Sequence, residues 1–104
     1  MKCITVLYPA KKNENFNFQF YLARHVPLIQ DILGQSLHRL EVRRGLPGPD
    51  GTAPQYAVVI SIWIADWPAY EKAMAQRAQE LIDEVPLFTQ VMPIIQTDEV
   101  LHSI

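Results

Sequence analysis

Between residues 55 and 65 the chain reads QYAVVISIWIA, apolar at both alternate sets of positions. Side chains alternate across a strand, so Tyr56, Val58, Ile60, Ile62 and Ile64 would meet one layer, and Ala57, Val59, Ser61, Trp63 and Ala65 another. Such a strand needs cover on both faces. In a chain of 104 residues, helices can supply one cover, and a partner subunit is the expected lid for the other.

The remaining pattern places five more elements around this strand. Residues 2–8 form a first strand, closed by Pro9 and the polar stretch KKNEN. A helix starts at Asn17, a good N-cap, with Phe16 and Tyr21 placed to form a hydrophobic staple. Its apolar stripe is Phe18, Tyr21, Leu22, His25, Leu28 or Ile29, Ile32 and Leu33, and Gly34 ends it. Pro27 removes a backbone donor in mid-helix, which predicts a kink or a loosened turn around His25. Residues 37–46 read as a second strand, with Leu40 and Val42 on one face and the charged row Arg39, Glu41, Arg43 on the other; that row places it at an edge or an interface rim. GLPGPDGTAP is a hairpin loop and the expected most mobile segment. After the buried third strand, Asp66 opens a second helix with the stripe Trp67, Tyr70, Met74, Ala78, Leu81, Ile82 and Val85, stopped by Pro86. VPLFTQ connects it to a last strand from residue 91 to about 101, where Pro93 suits an edge or a bulge.

The order strand, helix, strand, strand, helix, strand is the ferredoxin-like βαββαβ arrangement, an α+β domain spanning residues 1–104, with a four-stranded antiparallel sheet and both helices on one face. Two such sheets paired across a two-fold axis would form a dimeric α/β barrel, so a homodimer is expected.

Composition narrows the partners. A net charge of -2 with no long basic run argues against nucleic acid. No apolar run approaches the roughly 18 residues of a membrane span, so no membrane partner is expected. The start, MKCITVLYPAKKNEN, reads as a strand rather than a signal segment. The lone Cys3 cannot form an intrachain disulfide, which fits a reducing compartment, and a cytoplasmic location is expected. His25, His38, His102 and Cys3 lack metal-site spacing; no metal and no cofactor are expected, and no nucleophile elbow, phosphate loop or dinucleotide fingerprint occurs. Asp83 with Glu84 and Asp98 with Glu99 read as solvated ends of elements.

The candidate chemistry centres on His25. It lies four residues after Tyr21 on the buried stripe, where an imidazole serves as a general acid or base at an apolar pocket. The same placement suits a core histidine satisfied by a backbone carbonyl, such as the one Pro27 frees near residue 23, or by a tyrosine hydroxyl. Tyr21 and Tyr8 are candidates to orient a ligand or donate to its oxygen. The mixed small and large side chains of one face of the third strand place an expected cavity beside Ala57, Ser61 and Trp63. Phe88 and Thr89 are candidates for the pocket mouth. Each of these residues has a simple packing or capping alternative.

The stretch FNFQFYLARHVPL resembles the signature of the EthD family in Tyr21, His25, Pro27 and Leu28. Further pieces agree: Leu7-Tyr8-Pro9 at the end of the first strand, EVRRGLPGPDGTAPQY, and ELIDEVPLFTQVMPIIQTDEV with Pro86, Phe88 and Thr89. The resemblance covers nearly the whole chain, and it departs at Arg77, where many members carry a histidine. It implies a small dimeric α/β barrel in a catabolic or oxidative setting, named from ethyl tert-butyl ether degradation. Two readings follow. One is a cofactor-independent enzyme for a small apolar or aromatic metabolite with His25 as acid or base and Tyr21 as its partner; related barrels carry out cyclisation, isomerisation, dehydration and oxygenation. The other is a non-catalytic dimer that binds a hydrophobic compound or serves as an accessory component.

Overall fold

A computed structural model describes residues 1–12 and 14–104; Asn13, within the polar stretch KKNEN, lies outside the described residues. Strand β1 is Lys2–Pro9. Helix α1, residues 18–33, joins a helical turn Phe18–Phe20, a π-helical stretch Tyr21–His25 and a regular α-helix Val26–Leu33. A 3-10 turn, Gly34–Ser36, leads into β2, Leu37–Arg44, followed by β3, Tyr56–Ile64, helix α2, Trp67–Phe88, and β4, Ile94–Glu99. The sheet order is β2-β3-β1-β4 with every neighbour antiparallel, the ferredoxin-like α+β topology that the element order predicts. β2 and β4 are the edges, as the charged row of one and Pro93 before the other suggest.

Local chemistry starts and stops the helices. Asn17 accepts from the Phe20 amide at 3.0 Å, and Phe16 packs on Tyr21 with ring centroids 5.3 Å apart, the predicted cap and staple. Asp66 accepts from the Ala69 amide at 3.1 Å at the start of α2. α1 ends at Gly34, whose φ of 52° lies in the left-handed region that glycine tolerates. Helix α2 differs from expectation at its end. Pro86 does not stop it; the helix runs to Phe88, and the Thr89 amide still donates to the Val85 carbonyl at 3.0 Å. Proline in a final turn costs one donor only, and the burial of Phe88 outweighs that loss. The last strand is correspondingly shorter than expected, Ile94–Glu99.

The register fixes the two faces of the sheet. Ile4 stands beside Ile62, Val6 beside Ile60 and Ile95, and Tyr8 beside Val58, all on the face that the helices cover. One core group gathers Ile4, Ile29, Ile32, Leu33 and Ile64, and a second gathers Tyr8, Tyr21, Val58, Ile60 and Phe88. Ala57, Val59, Ser61 and Trp63 point to the other face, with Thr5, Leu7 and the Arg39, Glu41, Arg43 row. The core groups that the helices close lie on the opposite face.

In the hairpin between β2 and β3, the Gly48 amide donates to the Thr52 carbonyl at 2.8 Å and Asp50 accepts from the Thr52 amide at 3.0 Å. At its base a Cβ on Gly45 would collide with the Tyr56 carbonyl oxygen, so only glycine fits this close approach.

Candidate functional site

The loosened turn predicted at Pro27 is a π-helical turn, in which the Val26 amide donates to the Tyr21 carbonyl, five residues back. Its effect is rotational. An α-helix turns about 100° per residue, so Leu33, twelve residues beyond Tyr21, would sit roughly 120° around from it. The one extra residue in the wide turn takes back about 100° of that drift. Tyr21, His25, Ile29 and Leu33 consequently share one line facing the sheet, and all four are buried. Leu22, expected on the stripe, is turned outward instead and is 53% exposed.

These four residues form one wall of an apolar cavity of about 220 Å³ between the sheet and the helices. Ile4, Val6, Tyr8 and Ile62 form its floor, Tyr70, Met74, Leu81 and Val85 of α2 the opposite wall, and Pro93 and Ile95 the side at the β4 edge. Ile95 remains 62% exposed, so the cavity opens along that edge.

His25 is the polar feature of this wall. The residue is 6% exposed, and its Nδ1 lies 2.9 Å from Glu84 Oε1. An ionised carboxylate only accepts, so Nδ1 is the donor to Glu84, and in the neutral form of the imidazole the lone pair is then on Nε2. Nε2 has no hydrogen-bond partner among the described residues, where no buried side-chain nitrogen or oxygen is left unsatisfied; it is therefore not sealed from its surroundings, and His25 is among the residues that line the cavity. The partner is neither the backbone carbonyl nor the tyrosine hydroxyl that the sequence suggests. Glu84 is not the solvated helix-end residue it resembles; its side chain is mostly buried, whereas Asp83 beside it accepts from Gln79 on the exposed side. The signal for Glu84 was its phase: Tyr70, Met74, Arg77, Leu81, Glu84 and Phe88 follow steps of four and three along one side of α2.

Phe88 holds the polar groups in place. Its ring centroid lies 4.7 Å from that of His25, 4.9 Å from Tyr21 in an edge-to-face contact and 6.3 Å from Tyr8. Burial pushes the Tyr8 phenol up to about 12. Tyr21 is also raised, first by burial and then by repulsion from Tyr8. Both are neutral hydroxyls at physiological pH.

The other sequence candidates lie elsewhere. Thr89 is buried and its hydroxyl accepts from the Val91 amide at 3.0 Å, a capping role; it lines a separate hollow of about 150 Å³ with Tyr8, Phe16 and Ala57. Ser61 and Trp63 are on the helix-free face and do not line the cavity over Ile62, while Ala57, expected beside a cavity with them, lines the smaller hollow. Ser61 accepts from Arg43 at 3.0 Å, Arg43 pairs with Glu41 at 3.0 Å, and Arg39, also bonded to Glu41, stacks 5.3 Å from the centre of the Trp63 ring.

Solved structures share this architecture. An EthD-like protein from Ralstonia eutropha superposes with a TM-score of 0.90 at 24% identity, over 97% of this chain and 92% of its own. HapK from Hahella chejuensis gives 0.66 at 19% identity over 99% and 95%. An ethyl tert-butyl ether (EthD) family protein from Bacillus halodurans gives 0.60 at 17% identity over 96% and 99%. The fold is that of the EthD-like proteins. No family model matches the chain, and no curated protein matches it. Arg77, the departure from the EthD pattern, ties α2 to α1: it reaches Asp31 at 3.0 Å and Glu80 at 2.7 Å.

Proposed function

We propose that this chain is an EthD family protein and a cofactor-independent enzyme that moves protons on a small apolar or aromatic metabolite held over β1 and β3. The observation that carries this reading is the His25–Glu84 pair at the wall of an apolar cavity. Nε2 takes the proton from a carbon or oxygen acid in the cavity, and the imidazolium that forms is stabilised by the Glu84 carboxylate. Tyr21 and Tyr8, neutral near pH 7, donate to the oxygen on which negative charge develops. The cavity is larger than the roughly 150 Å³ apolar space that takes up benzene, which suits a substituted ring. The functional unit is a homodimer whose second copy covers the bare face of the sheet, and its setting is catabolic and cytoplasmic. Among the described residues, no helix is long and apolar enough to cross a membrane.

A generic carbon acid tests the base without knowledge of the natural substrate. A nitrobenzisoxazole opens to a coloured phenolate when a base removes the proton on its isoxazole carbon. Saturable turnover is expected in the wild type, with a loss of about 100-fold or more in His25→Ala and a smaller loss in Glu84→Gln. Binding of the probe without turnover would favour the second reading, a carrier or accessory dimer for hydrophobic compounds, which the same apolar walls support.

A further inference from the structure

We infer that Pro27 is a positioning residue: by withholding a backbone donor it fixes the wide turn at Tyr21–His25 and thereby sets the His25 ring against Glu84 with Nε2 toward the cavity. This inference rests on the catalytic reading of His25. In an α-helix the amide of residue 27 would bond the carbonyl of Ala23, but proline has no amide and its ring crowds that carbonyl. The preceding residue takes the five-back bond instead, Val26 to Tyr21, and regular winding resumes through Val26–Leu33. The turn bulges to the outside, where Leu22, Ala23, Arg24 and Pro27 are all exposed, while Tyr21 and His25 at its two ends are buried.

Without the wide turn, the helix on one side of it must rotate by about 100° relative to the other. Ile29 and Leu33 anchor the C-terminal half in the core, and Phe16 and Phe88 hold Tyr21 at the N-terminal half. His25 stands at the junction, so the strain of a regular helix would fall on its ring. Glu84 is on α2 and does not follow that rotation, so the 2.9 Å contact would open.

The test reads the imidazole directly. Long-range proton–nitrogen spectra of the wild type, recorded at a pH high enough for the imidazole to be neutral, should show His25 as the Nδ1–H tautomer. Pro27→Ala should lose that single signature and move toward the Nε2–H form that free histidine favours. Pro27→Ala combined with deletion of Ala23 removes the extra residue and restores the phase of a regular helix; it should recover much of the Nδ1–H signature. A purely structural role for the proline, as a kink or a stabiliser, would not be rescued by a deletion. If folded Pro27→Ala keeps the wild-type tautomer, or if the folded double variant fails to recover it, the inference is overturned. Absence of nitrobenzisoxazole turnover in the wild type, with the tautomer series behaving as stated, would instead count against the catalytic reading alone.

Discussion

His25 illustrates how a buried polar residue acquires a direction. Glu84 fixes one nitrogen as donor, and the residue that carries it lines the cavity. Tyr8, Tyr21 and Tyr70 are the other polar residues that line this largely apolar space, and the burial of Tyr8 and Tyr21 has a measurable consequence. Each folded phenol holds its proton more tightly than the unfolded one, with Tyr8 at about 12 against an unfolded value of about 10. The native state therefore binds more protons in that interval. The stability this contributes is fully present below pH ~10 and is lost as pH rises through the folded value. Absorbance of phenolate should show fewer ionised tyrosines near pH 11 in native than in denatured protein, and Tyr8→Phe should reduce the difference. Equal titration of the two states would contradict the burial of these rings. In the sequence, His25, Tyr21 and Tyr8 were legible as a set because they follow the periods of a helix and a strand. Glu84 was obscured by its neighbour Asp83, since two adjacent acids read as a wet surface although consecutive helical residues point about 100° apart.

At the scale of elements, the end of α2 is the joint on which the site depends. The Phe88 carbonyl accepts from the Asn17 amide at 2.8 Å, and the Phe88 ring touches His25, Tyr21, Tyr8 and Phe16. The end of one helix thus locks the beginning of the other. Phe88→Ala should cost about 3–5 kcal/mol of stability by denaturant unfolding, with Phe88→Leu costing less, because the ring is nearly fully buried. A cost near that of an exposed position would show that the aromatic group does not behave as one unit. Pro86 and Pro27 show why element boundaries were harder to read than element types. A proline states which donor is missing, but not whether the helix stops, widens or continues; burial of the next anchor, Phe88 in one case and Ile29 in the other, decides that. The position of the cavity was likewise hidden. It depends on the spacing between the sheet and two helices, and alternation of side-chain size along β3 reports only on that strand.

The whole molecule measures 43 × 34 × 20 Å, so its broad face exceeds the roughly 800 Å² per partner that a stable complex buries. The helix-free side of the sheet presents Leu7, Val59 and Trp63 over its central strands and Ile94 at the β4 edge. Its two edges carry opposite character: Arg39, Glu41 and Arg43 along β2, and Asp98, held by Gln96, along β4. A two-fold axis running along the strands would lay each β2 edge over the partner's β4 edge and bring arginines to Asp98. An axis across the strands would stack the arginine rows on one another, which like-charge repulsion opposes. Sedimentation at micromolar concentration should therefore show a dimer for the wild type and a folded monomer for Trp63→Asp, which buries a carboxylate without a partner. Asp98→Arg should weaken the dimer more at low salt than at high salt, because its effect is electrostatic. Ile82→Asp, on the exposed side of α2, should leave the dimer intact. A wild type that sediments as a monomer with β3 fully ordered would mean that this strand tolerates one uncovered apolar face, and the proposed barrel would fall with it.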